Sequence, residues 1–75
     1  MVEKHDFLLE VGQQIKKIRL SKGINQAQLA ELCDRDKQTI ERIENGKINT
    51  SIFMLNIIAN ALNIKIKDLL DFKEK

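Results

Sequence analysis

Lys37, Gln38 and Arg42 are spaced to lie along one side of a short helix, while Ile40 and Ile43 fall on the other. Amide and guanidinium tips held on a rigid helix suit the edges of base pairs in a DNA major groove. Gln makes a two-bond pair with adenine, and Arg or Lys makes one with guanine. Thr39 and Glu41 stand beside them, and Glu41 or Asp36 has the chemistry to accept from cytosine N4. Other chemistries find less support. Asp36, Glu41 and Glu44 hint at paired-carboxylate catalysis, but no nucleophile or metal ligand accompanies them, and 75 residues leave too small a core for an elaborate active site. With one Cys and one His, no disulfide or metal cluster can be assembled from the favoured ligands. The reading is of a non-enzyme with no metal, cofactor or small-molecule ligand.

The elements that must position these side chains follow from caps and apolar spacing. Residues 1–6 read as a frayed leader, 7–72 as one folded domain and 73–75 as a polar tail. Asp6 is the candidate cap of a helix from Phe7 to Lys22, with Leu8, Val11, Ile15 and Ile18 on its apolar side. Gly23 suits a left-handed helix end. Asn25 and Gln28 form a capping box for a second helix to about Cys33, burying Leu29, Ala30 and Cys33. Asp34 and Arg35 make a corner, and Asp36 caps a third helix from Lys37 to about Asn45, ended by Gly46. Ser51 caps a fourth, to about Asn63, with Ile52, Leu55, Ile58, Ala59 and Leu62 inward. A fifth, short helix spans Lys67 to Leu70.

Composition agrees with an all-α chain. Proline is absent, glycine occurs three times, and 43% of residues are hydrophobic. The formal charge of +2 is too small to select a nucleic-acid partner by itself. Lys16, Lys17, Arg19 and Lys22 crowd the first predicted helix, however, and Arg35, Lys37, Arg42 and Lys47 surround the third, which predicts a basic face. There is no membrane-length apolar run and no signal-peptide pattern, so a cytoplasmic location is expected.

From Gly12 to Leu70 the order and spacing of several short segments resemble the phage repressor and Cro-type, or XRE-like, helix-turn-helix family. They are Gly12-x-x-Ile15-x-x-Ile18-Arg19, Gly23-Ile24-Asn25-Gln26, Gln28-Leu29-Ala30-Glu31, Thr39-Ile40-Glu41-Arg42-Ile43-Glu44-Asn45-Gly46-Lys47 and Ala59-Asn60-Ala61-Leu62. The resemblance implies a compact five-helix bundle of the lambda-repressor-like type, with its second and third helices as the DNA-binding motif. It places Lys37, Gln38, Thr39, Glu41 and Arg42 at base edges and makes Gln26 and Lys47 contacts to the DNA backbone. It also implies an internal Arg19–Glu44 salt bridge. Lys16, Lys17 and Arg35 are further backbone candidates. The chain departs from the family at its corner, where Asp34-Arg35 replaces glycine and a small apolar residue. Aspartate tolerates the left-handed backbone, so the corner survives with Arg35 turned outward. Lys65 replaces a capping residue, which predicts a ragged start to the last helix.

Phe53, Ile64, Leu70 and Phe72 exceed the needs of so small a core and predict a two-fold dimer interface. A small transcriptional regulator that binds a double-stranded operator as a homodimer is the function expected. The alternative is a protein-interaction module or antitoxin that grips a protein partner through this apolar surface.

Overall fold

The computed structural model describes residues 3–72, so Met1, Val2 and the predicted tail 73–75 lie outside it. Five helices and no strand occur among the described residues: α1 Lys4–Ser21, α2 Gln26–Leu32, α3 Lys37–Glu44, α4 Ile52–Ala61 and α5 Ile66–Leu69. The all-α expectation and the five-helix order hold. Helix α1 begins three residues earlier than the spacing predicted. Glu3 stands at its cap position without a side-chain cap bond, and Asp6 lies inside the first turn. There its negative charge complements the helix dipole instead of closing a cap.

The other starts follow the caps. The Asn25 side chain accepts from the Gln28 N–H at 2.8 Å, and the Gln28 side chain accepts from the Asn25 N–H at 2.8 Å. Asp36 accepts from the Thr39 N–H at 3.0 Å, and Ser51 from the Met54 N–H at 3.0 Å. Lys65 has no capping side chain, but Asp68 reaches back to accept from the Lys65 N–H at 3.1 Å. That bond gives α5 a defined start where a ragged one was expected.

Helices α1 to α4 all end by one device. Gly23, Asp34, Gly46 and Asn63 adopt the left-handed conformation, with φ of 70°, 54°, 68° and 58°. The following N–H then reaches back over the last turn: Ile24 to the Arg19 carbonyl, Arg35 to Ala30, Lys47 to Arg42 and Ile64 to Ala59, at 2.9–3.1 Å. Carbonyls left over at each helix end are thereby satisfied.

Six side chains lose all or nearly all contact with solvent: Ile15 from α1, Leu29 from α2, Ile40 from α3, Ile58 and Leu62 from α4 and its end, and Leu69 from α5. Every helix therefore contributes to one core. One predicted position is displaced. Ile52 is turned outward at 77% exposure and Met54 is buried in its stead, because the turn that starts α4 rotates Ile52 away from the bundle. In α5 the inward residue is Leu69, leaving Leu70 43% exposed.

Candidate nucleic-acid interface

The recognition candidate, α3, is a short helix with two sharply different sides. Ile40, Ile43 and Glu44 are buried, whereas Lys37, Gln38, Glu41 and Arg42 are exposed and Thr39 is half-buried. Each residue advances about 100° around a helix. Gln38 and Arg42 thus stand opposite the buried side. Lys37 and Thr39 stand on its two flanks. Asp36 fixes the start of α3 and also accepts a hydrogen bond from the Thr39 hydroxyl. That donor is consequently engaged within the protein, and Thr39 offers outward only its methyl and remaining lone pairs. These hydrogen bonds, from the Thr39 hydroxyl and then its N–H, hold the Asp36 carboxyl below its ordinary range, with Arg42 adding a smaller attraction.

The far end of α3 is held from inside. Arg19 donates from Nε to Glu44 Oε2 at 2.7 Å and from Nη2 to Glu44 Oε1 at 3.0 Å. Its Nη1 donates to the Ile24 carbonyl at 2.7 Å. Both residues are buried. A paired charge at this depth adds little net stability, since desolvation offsets most of the attraction. What it does is fix the end of α3 against α1 and the loop before α2. Gln26 joins the same carboxylate, its Nε2 donating to Glu44 Oε1 at 3.0 Å. One hydrogen of the Gln26 amide is therefore committed inward and one remains.

The other backbone candidates are dispersed around this helix. Lys16, Lys17 and Lys47 are exposed. Lys16 and Lys37 line an open cleft together with Arg19, Asn25, Gln26 and Ala27. Arg35 is also exposed, but its Nη1 folds back on its own corner, donating to the Asp34 carbonyl at 3.1 Å and, weakly, to that of Cys33 at 3.4 Å. Cys33 is buried, and burial raises its thiol pKa, partly opposed by Arg35.

The four apolar surface candidates divide. Phe53 is 71% exposed and Leu70 is also exposed, whereas Ile64 and Phe72 are half-buried against the core. The Phe72 ring packs on Phe7 with centroids 5.9 Å apart. Ile52 joins the exposed set, and Lys4, Phe7, Leu8, Ile48, Ile52 and Leu70 border a mostly apolar groove. Gln14 went unseen in the sequence, where Gly12 stood only as a motif position. Gln14 donates from Nε2 to the carbonyls of Asp68 and Asp71, tying the end of α5 to α1. Gly12 allows α1 to press on the end of α3.

Two helices joined at a four-residue corner, with the second anchored below and polar above, define a helix-turn-helix domain. Residues 15–69 match the family model HTH_3, described as helix-turn-helix, and the chain belongs to that family. The control protein C.BamHI of Bacillus amyloliquefaciens is 44% identical over 62 residues, covering 81% of this chain and 76% of the relative. The crystal structure of the restriction-modification controller protein C.AhdI from Aeromonas hydrophila superposes with a TM-score of 0.81 at 32% identity, covering 83% and 94% of the two chains. The regulator for biofilm formation SinR, crystallised in complex with DNA, gives a TM-score of 0.74 at 35% identity, covering 81% and 98%. The chain is a DNA-binding regulator of transcription and not an enzyme. No helix among the described residues is long and apolar enough to cross a membrane.

Proposed function

We propose that this chain reads a double-stranded operator by laying α3 in the major groove, and that it controls the expression of a restriction-modification operon. The observation that carries the reading is the two-sidedness of α3. Gln38 and Arg42 point directly away from a buried side held by Ile40, Ile43 and the Arg19–Glu44 pair. Glu41 and Lys37 complete the polar side, with Thr39 supplying a methyl contact. Gln26, Lys16, Lys17, Lys47 and Arg35 face the sugar-phosphate backbone in this arrangement, positioning α3 without reading sequence. The controller role draws on C.BamHI and C.AhdI, a control protein and a restriction-modification controller protein, 76% and 94% of whose lengths this chain matches. A cytoplasmic location goes with that role.

The functional unit in this reading is a homodimer. Ile52 at 77% and Phe53 at 71% exposure form an apolar projection beside an apolar groove, features suited to a two-fold contact between copies. Two copies of α3 would then lie about 34 Å apart and meet a near-palindromic site.

Selection from random duplex DNA, followed by titration of the selected site, tests the proposal. A palindrome is expected, with affinity falling steeply as salt rises. Arg42→Ala should cost about 1–3 kcal/mol and relax base preference at one position of each half-site. Salt-independent binding that ignores Arg42→Ala would exclude groove reading by α3.

A further inference from the structure

We infer that Lys37 is a phosphate clamp and not a base reader, seating one backbone phosphate together with Lys16 and Gln26. This rests on the groove-reading proposal and divides its polar set in two. The first ground is angular. Gln38 and Arg42 stand opposite the buried side of α3, but Lys37 stands on a flank, about 20° from Glu44 and two turns before it. That is the side from which Glu44 reaches Arg19 and Gln26. Lys37 accordingly borders the cleft between α1, the start of α2 and α3, whose other lining residues are Lys16, Arg19, Asn25, Gln26 and Ala27.

The second ground is charge. Arg19 is neutralised by Glu44 in a buried pair. Lys16 and Lys37 make no ion pair among the described residues, so two ammonium groups at the cleft are open to an anion. The third is the donor set. Glu44 fixes the Gln26 amide so that its nitrogen, with one hydrogen still free, is oriented by the protein at the wall of this cleft. A pair of ammonium groups beside an oriented amide N–H suits a tetrahedral anion, which accepts from several directions. Lysine can reach guanine O6 and N7, but its ammonium is a compact point charge without the rigid fork of arginine, and on the flank of α3 it is placed for the phosphate and not for the base edge. Sequence is then read by Gln38, Glu41 and Arg42, and Lys37 contributes affinity that is indifferent to sequence.

The test compares the wild type, Lys37→Met, Lys37→Arg and Arg42→Met. Each is used to select sites from a duplex library, and each is titrated on the duplex chosen by the wild type over a salt series. Lys37 is exposed, so the fold survives its replacement. The expected result is that Lys37→Met selects the wild-type base profile at every position, while its log–log salt slope falls by about 1.8, since each of the two protomers loses one phosphate contact. Lys37→Arg should restore that slope. A Lys37→Met profile altered at the half-site edge, with the salt slope intact, overturns the clamp and leaves groove reading standing, provided Arg42→Met alters its own position. A profile that neither Met variant changes, with Lys37→Met lowering the slope, supports the clamp and counts against Arg42 as a reader. Loss of duplex selection by the wild type itself defeats both.

Discussion

Gly12 of α1 lies so close to the carbonyls of Ile43 and Glu44 at the end of α3 that a β-carbon there would collide with both. Backbone cannot swing aside as a side-chain tip can. Gly12→Ala should therefore destabilise the domain by about 1–3 kcal/mol, the usual cost of overpacking. Each kcal/mol should lower the melting temperature by about 4–8 °C. Gly46→Ala should cost more. There a β-carbon would meet the Leu9 backbone at 2.7 Å, and the φ of 68° adds left-handed strain. Calorimetry of the two variants checks the order.

Removing one member of the Arg19–Glu44 pair leaves the other buried and uncompensated. Glu44→Ala should cost about 3–5 kcal/mol, read as a lower urea midpoint. Replacing both, as Arg19→Met with Glu44→Leu, should return stability close to the wild type. The double variant should nevertheless bind DNA less tightly, because the end of α3 and the Gln26 amide lose their common anchor. A double variant as unstable as Glu44→Ala would show that the pair contributes net stability.

The acid limb of stability should report Asp36. Its folded-state pKa lies below the ordinary value of an aspartate because Thr39 donates to the ionised carboxylate. The resulting stabilisation is fully present above the unfolded value and is lost as pH falls through the lower, folded value. Asp36→Asn keeps a capping oxygen but removes this titration. Urea unfolding between about pH 5 and pH 2 should show a smaller acid loss for the variant than for the wild type. Equal losses would mean that the cap does not distinguish the two protonation states.

Ile52→Asp and Phe53→Asp test the proposed contact between copies. Both side chains are exposed in the single chain, so monomer stability should change by no more than about 0.5 kcal/mol. Sedimentation equilibrium should show weaker self-association, and binding to a two-half-site duplex should need more protein. A dimer unaffected by both changes would move the interface elsewhere.

What the sequence disclosed about this fold was local in origin. Asn25 with Gln28, Asp36 and Ser51 act within three residues of themselves, so their caps can be recognised without knowing the tertiary structure. The left-handed ends at Gly23 and Gly46 are local too. The inward rotation of α5 was not legible, since four residues make about one turn and give no periodicity to choose Leu69 over Leu70. Ile52 was misplaced because it opens α4 at the edge of the apolar stripe, where the first turn carries it away from the bundle while burying Met54. The polar side of α3 could be read from residue types and the Arg19–Glu44 pair from the family resemblance, but the joining of Gln26 to the same carboxylate could not. Gln26 is 18 positions away from Glu44, and only packing brings the two together.

The repeated helix ending has an evolutionary consequence. Gly23 and Gly46 adopt the left-handed turn freely, whereas Asp34 and Asn63 hold it with a side chain attached. Aspartate and asparagine at those corners restrict the denatured chain more than glycine would, while tolerating some native strain. The two corners are thus adjustable joints, where a lineage moving between cool and hot habitats can tune heat tolerance without altering the nucleotides its regulator prefers.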